Sequence, residues 1–287
     1  MTTTTTTKLA LITGGSRGLG RDAALHLADR GTDVIITYRS GHDEAAAVVR
    51  AIEAKGRRAL ALRLDVGDIG SFAGFVAELR AALAVTFGRE TIDHLVNNAG
   101  HGLHAPFVET TEAQFDALVD VHFKGVFFLT QALLPVIADG GRILNVSTGL
   151  ARFSMPGYAA YAAMKGAVEV LTRYLAAELG PRRIAVNTIA PGAIATDFGG
   201  GVVRDNAQVS GFIASQTALG RVGQPDDIGA AIAALLSDDM RWVNGQRIEA
   251  ARGFNLSRSR RPAGTPRVRR GSPRGCAGAR LEWRDGP

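Results

Sequence analysis

The chain has 287 residues, 46% of them hydrophobic, enough to bury a large core in a single α/β domain. No apolar run approaches the ~18 residues that a membrane-spanning helix needs, and the threonine-rich residues 1–7 hold no apolar secretory stretch. The net charge of +6 is uneven: residues 257–287 carry nine arginines against Glu282 and Asp285, a net +7 that leaves −1 for residues 1–256.

Taken in chain order, Lys8 to Thr13 (KLALIT) reads as a buried strand. It runs into Gly14-Gly15-Ser16-Arg17-Gly18-Leu19-Gly20 and then a helix with apolar residues at Ala23, Ala24, Leu27 and Ala28. A strand, a glycine-rich turn and a helix form the unit that sets a pyrophosphate on a helix N-terminus. The spacing here is G-x3-G-x-G, not the commoner dinucleotide G-x-G-x2-G, and loop punctuation is the plainer alternative. Further buried strands are expected at Val34–Tyr38, Arg58–Leu64, Ile92–Val96, Arg142–Ser147 and Ile184–Ile189. Helices are expected at Glu44–Lys55, Ser71–Ala84, Thr111–Ile137, Tyr161–Leu179 and Asp226–Leu236, the third closed by Asp139-Gly140-Gly141. Repeated β-α units predict a doubly wound parallel sheet with helices on both faces and ligands beyond the strands' carboxyl ends.

Within the fourth of these helices, Tyr161 and Lys165 stand four residues apart in YAAYAAMKGAVEVL, on one face and one turn apart. A phenol normally holds its proton to about pH 10. A neighbouring ammonium favours the phenolate, so Lys165 is expected to draw the Tyr161 pKa downward. Bringing it near neutrality takes about three units, roughly 4 kcal/mol of differential interaction. Such a pair exchanges a proton with a carbonyl or alcohol oxygen. A solvated pair on a helix surface is the bland alternative.

Together these features resemble the short-chain dehydrogenase/reductase family over roughly residues 8–256. Five motifs stand in family order: Thr13-Gly14-x3-Gly18-x-Gly20, Asp65-Val66, Asn97-Asn98-Ala99-Gly100, Tyr161-x3-Lys165, and Asn187-x3-Pro191-Gly192 with Thr196 downstream. The resemblance implies a single-domain Rossmann-like fold that moves hydride between a nicotinamide cofactor and a carbonyl or alcohol substrate of ketone, aldehyde or 3-oxoacyl type. It implies cofactor contacts from Gly14, Ser16, Arg17, Gly18, Leu19 and Gly20, from Asp65 and Val66 at the adenine, and from Asn97, Ala99 and Gly100 near its ribose. Pro191, Gly192, Ile194 and Thr196 would meet the nicotinamide, and Tyr161 and Lys165 would face its ribose. Asn97 has a second reading, as a prop of the sheet. A homodimer or homotetramer is implied as well.

The second strand ends Thr37-Tyr38-Arg39-Ser40 without the carboxylate that binds the ribose hydroxyls of NAD. Arg39 and Arg17 instead offer two planar cations suited to a 2′-phosphate, so the expected cofactor is NADP(H).

Two positions depart from the family's catalytic pattern. Thr148 occupies the place of the usual serine, 13 residues before the tyrosine, and offers the same hydroxyl donor. Ser147 should point to the opposite side of the strand. His122 replaces the usual asparagine; it either keeps a water-linked relay to Lys165 or merely fills the site, and it adds a titration near neutrality. His101 and His104 flank the NNAG turn. No cluster has metal-ligand spacing, and no metal is expected. The segment from Asp197 to Gly220 is read as a mobile lid over the substrate. A non-catalytic NADP-binding regulator of the same fold is the alternative, favoured by Thr148, His122 and the altered glycine pair at Ala251-Arg252-Gly253.

Residues 1–7 and the Arg/Pro/Gly-rich residues 257–287 are expected to be disordered. For the basic tail three readings stand: an anionic-surface or nucleic-acid contact, a solvated appendage, and translation past a shifted frame. With Trp283 its only aromatic, nucleic-acid binding is the weakest of them. The only cysteine, Cys276, permits no intrachain disulfide, so the cytoplasm is the simplest expected compartment.

Overall fold

A computed structural model describes residues 7–255; the threonine run up to residue 6 and the basic tail lie outside the described residues. Strand β1 (Leu9–Ile12) leads through the glycine turn into α1 (Gly18–Asp29), followed by β2 (Asp33–Tyr38), α2 (His42–Glu53) and β3 (Ala59–Arg63). Then come α3 (Phe72–Ala82), β4 (Ile92–Asn97), α4 (Glu112–Val119), α5 (Gly125–Leu133) and β5 (Ile137–Val146). The described part ends with α6 (Ala159–Glu178), β6 (Ala185–Pro191), α7 (Val202–Asp205), α8 (Ala207–Gln216), α9 (Pro225–Leu235) and β7 (Arg247–Ala250). All seven strands are parallel, in the order β3-β2-β1-β4-β5-β6-β7.

The pleat divides the apolar strands between two cores. Leu9 and Leu11 face one side with Phe75, Leu79, Leu129 and Leu133 of α3 and α5. Ala10 and Ile12 face the other with Ala23, Leu27, Val48 and Ile232 of α1, α2 and α9. Burial on both faces is why these strands read as near-continuous apolar runs and not as alternating ones. The strand order reverses between β1 and β4, which opens a crevice above their carboxyl ends.

The expected elements form, with three corrections. The helix expected over residues 111–137 is two helices joined by a π-turn, Asp120–Lys124, that contains His122. It ends at Leu133, where Pro135 lies in a 3-10 turn, and the glycines expected to close it lie inside β5. There Gly140 takes φ +76° and the β4–β5 register shifts, a bulge that only glycine accepts freely. Ile69–Phe87 and Glu112–Val136 are, contrary to expectation, long and apolar enough to pass as membrane spans by length and composition. Their inward faces are built into the core beside the sheet.

Candidate active site

The glycine turn is shaped by close packing. A Cβ on Gly14 would stand 2.9 Å from the Ala99 Cα, and one on Gly20 would stand 2.4 Å from the Gly14 carbonyl oxygen. Gly14 and Gly18 adopt φ +65° and +56°, backbone that a side chain disfavours. Thr13 fastens this turn to the next motif, its Oγ1 accepting from the backbone N–H of Asn98 and of Ala99, both at 3.0 Å. Asn98 Nδ2 donates to the carbonyls of Thr13 and Gly14. The start of α1 has no side-chain cap and no acidic residue in its first turn, so its free N–H groups suit an anion.

Above this turn lies a cleft of about 1100 Å³, larger than an ordinary small-molecule pocket and roomy enough for a dinucleotide with a second ligand. Gly14, Ser16, Arg17, Gly18, Leu19, Arg39 and Ser40 line it, together with Asp65, Val66, Ala99 and Gly100. Pro191, Gly192, Ile194 and Thr196 line it near Thr148, Tyr161 and Lys165. The lining therefore combines the Arg17 and Arg39 cations, beside the Glu44 carboxylate, with a glycine cradle, a donor set that fits a phosphorylated dinucleotide. Two expected contacts do not line it. Gly20 serves the packing of α1, and Asn97 is buried with its Nδ2 donating to Thr130 Oγ1 and Asn145 Oδ1, the sheet-supporting alternative.

Tyr161 and Lys165 are buried on the inner face of α6. Lys165 Nζ donates to the Val146 carbonyl at 2.7 Å and stands 5.9 Å from the centre of the Tyr161 ring. Burial lowers the lysine pKa to about 8. The phenol departs from expectation: burial pushes it above its ordinary value, opposed by the nearby Thr148 side chain, while the nearby Tyr158 raises it further. The ammonium is aimed at a backbone carbonyl and desolvation dominates, so Tyr161 holds its proton firmly. Spacing on a helix fixes a shared face; it does not fix which atoms meet.

Thr148 follows β5 in extended conformation, and its Oγ1 accepts from the Leu150 N–H at 3.3 Å. Ser147 Oγ donates to Glu169 at 2.6 Å, away from the phenol. His122 is fully buried, its ring centre 5.2 Å from that of Tyr161. With Nε2 protonated it donates to the His101 carbonyl at 2.8 Å, and Nδ1 has no partner among the described residues. Burial, with the Lys165 charge adding to it, lowers its pKa to about 2. The expected titration near neutrality is thereby lost, because no solvent reaches the imidazolium.

Sequence reasoning missed the apolar wall opposite. Phe153 packs on Phe254 with ring centres 4.8 Å apart, and Phe198 lies 5.9 Å from Tyr161. Met155, Tyr158 and Phe212 complete this wall. The segment read as a lid forms a 3-10 turn, α7 and α8, with Gly199, Gly200 and Gly201 all at positive φ beside Phe198. His104 packs on Tyr158 at 5.0 Å between ring centres. Among the described residues no group of acidic, histidine or cysteine side chains is placed to hold a metal ion. At the altered glycine pair, Arg252 takes φ +49° and its guanidinium bonds Asp227.

The profile of the enoyl-(acyl carrier protein) reductase family matches residues 14–255. An uncharacterized oxidoreductase of Methylorubrum extorquens is 39% identical over 86% of this chain and 97% of its own length. A hydroxynaphthalene reductase of Aspergillus fumigatus is 35% identical over 83% of this chain and 89% of its own. Among solved structures, an angucycline C-6 ketoreductase with bound NADP superposes with a TM-score of 0.83 at 36% identity, over 88% of this chain and 97% of that one.

Proposed function

This chain belongs to the short-chain dehydrogenase/reductase family, and on that premise we propose that it reduces a ketone on a flat, fused aromatic ring system at the expense of NADPH. The observation that carries this reading is that Thr148, Tyr161 and Lys165 line one cleft, with the lysine bonded to the Val146 carbonyl and 5.9 Å from the centre of the phenol ring. NADPH, when held by the cleft's glycine turn and arginines, would supply hydride for the carbonyl carbon. Because Leu150 N–H occupies one lone pair of Thr148 Oγ1, the hydroxyl proton is left to bond the carbonyl oxygen. Tyr161 then gives its proton to the oxygen that becomes the alcohol. The phenolate left behind is stabilised by the Lys165 ammonium nearby. A phenol held protonated by burial is loaded for reduction and resists the reverse reaction, in which it must start as a base.

Arg17, Arg39 and Ser40 line the end of the cleft where a 2′-phosphate would sit, which supports NADPH over NADH. The aromatic wall supports the substrate class, since Phe153, Phe198 and Phe212 offer flat faces to a planar ring. The relatives named for hydroxynaphthalene and angucycline reduction support it too. The regulator alternative gains nothing from the site, where the hydroxyl, the phenol and the lysine stand together. A homodimer or homotetramer belongs to the same reading, supported by exposed Phe115, Phe127, Phe128 and Tyr174 on α4, α5 and α6. The test follows NADPH absorbance with a tetralone, an aliphatic ketone and a 3-oxoacyl thioester. The tetralone is expected to give the highest kcat/KM; preference for the thioester would overturn the substrate class, and no oxidation with any of them the reaction.

A further inference from the structure

Behind the reacting groups, β7 contributes a side chain that the chemistry above does not use. Arg247 is partly buried and its guanidinium is engaged on three sides. Nε donates to Glu169 Oε1 at 2.7 Å, Nη1 to Glu249 Oε2 at 3.1 Å, and Nη2 to the carbonyl oxygen of Thr148 at 3.1 Å. Glu169 Oε1 also accepts from Ser147 Oγ at 2.6 Å. Glu249 is held in turn by Arg152, through Nε and Nη2 at 2.6 and 2.7 Å. Charges therefore alternate from Arg152 to Glu249, Arg247 and Glu169. Tyr161, Lys165 and Glu169 follow one another at intervals of four on α6, so one helix face carries both the proton donor and the anchor of this chain.

The position of Thr148 explains why such an anchor matters. Strand β5 ends at Val146, and the Ser147 N–H to Ile189 carbonyl bond is the last link with β6. Among the described residues the Thr148 carbonyl is met otherwise only by the Ala151 N–H at a long 3.3 Å. A strand end held so lightly has room to shift, and a shift of the Thr148 backbone would carry its hydroxyl away from the phenol. A charge-assisted bond from a planar fork, itself fixed by two carboxylates, removes that freedom.

We propose that Arg247 is a positioning residue for the reduction: by holding the Thr148 carbonyl, and Ser147 through Glu169, it fixes the Thr148 hydroxyl against Tyr161. The inference rests on the reading of the site as a carbonyl reductase that uses Thr148. Lysine lacks the fork and cannot meet both carboxylates and the carbonyl, so it should keep the charge balance without restoring the geometry.

The test compares Arg247→Met, Arg247→Lys, Thr148→Val and the Arg247→Met/Thr148→Val pair in the full chain. For each, kcat and KM are measured with a tetralone, NADPH Kd by fluorescence titration, and Tm. Arg247→Met is expected to lower kcat about tenfold or more, since small misplacements of reacting groups are costly, with NADPH Kd unchanged. Arg247→Lys should fold normally yet recover little of that loss. Once Thr148 is valine, Arg247→Met should cost less than about twofold further, because coupled residues are not additive. Full multiplication of the two losses, or a fall in NADPH affinity matching the fall in kcat, would overturn the inference. If Arg247→Met does not fold, Arg247→Lys and Glu169→Gln carry the same comparison with Thr148→Val. A parent protein without turnover would sink the reductase reading and this inference with it, whereas turnover with multiplying losses would sink this inference alone.

Discussion

The Lys165 ammonium and the Tyr161 phenol share a buried helix face, yet the ammonium is bonded to the Val146 carbonyl and lies 5.9 Å from the ring centre. The pH response should therefore follow the lysine. Its pKa of about 8, down from 10.5, leaves it charged below that value and neutral above it. Tyr161, raised by burial, stays protonated throughout. As the phenol donates, the phenolate needs the ammonium, so kcat for ketone reduction should be flat below pH 8 and fall above it. A profile flat to pH 10 would show that the charge on Lys165 plays no part.

Removing the phenol oxygen isolates the proton donor. Tyr161→Phe should lower kcat by about 10²-fold or more, the span ascribed to general acid catalysis. NADPH affinity should change little, because most of the cleft's cofactor-facing residues lie on the glycine turn and the strand ends. Retention of most activity would mean that another group supplies the proton.

The two hydroxyls at the end of β5 should separate cleanly. Thr148 lines the cleft beside Tyr161 with its hydroxyl uncommitted as a donor, whereas the Ser147 hydroxyl is spent on Glu169. Thr148→Val should cost roughly 10²-fold in kcat, the loss seen when one oxyanion donor is removed. Ser147→Ala should cost only several-fold, through a loosened Glu169. The reverse ranking would reassign the substrate-facing hydroxyl.

Much of this was legible in the sequence. The strands are apolar runs bounded by glycine, aspartate or proline, and each cofactor motif falls where a strand stops, so the sheet and its crevice could be drawn from residues 8–256. The misses have physical causes. A π-turn has no residue signature, and Asp120–Lys124 could not be told from ordinary helix. Gly140 and Gly141 read as a helix stop because a bulge and a C-cap ask for the same positive φ. The phenol pKa was misjudged because desolvation is a tertiary effect, while residue spacing reports only neighbours along the helix. Arg247 and Glu169 are 78 positions apart, and only the β6–β7 pairing brings that guanidinium to Thr148. Phe153 and Phe254 likewise form one wall only in the fold.

Cofactor choice follows from the two arginines that line the cleft. Arg39→Asp removes one phosphate partner and adds repulsion, while leaving Arg17 in place. The ratio of NADPH to NADH affinity should fall at least about tenfold, equivalent to some 1.4 kcal/mol, and fluorescence titration with each cofactor reads it directly. Equal affinities in the parent protein would remove the basis for assigning NADPH.

Acid should destabilise this fold through histidines that are buried neutral. His94 lies on β4 and His122 in the π-turn; both are buried, and in each Nδ1 has no hydrogen-bond partner among the described residues. Burial lowers their pKa values from 6.5 to about 4 and about 2 respectively. Unfolded, each takes up a proton near 6.5, so below that pH the unfolded chain binds more protons than the folded one. Stability must then fall with falling pH, by up to about 1.4 kcal/mol per pH unit for each group. The contribution of His94 is complete near pH 4, while that of His122 continues to about pH 2. Thermal melts between pH 7 and pH 4 should show a steep fall in Tm, and His94→Leu, which has no proton to take up, should flatten it. His122→Asn should flatten it as well, and the slope it removes should persist below pH 4, where His94 no longer contributes. If both variants kept the parent's pH slope, the histidines would be protonated in the fold or reached by water, and the burial that sets both pKa values would be wrong.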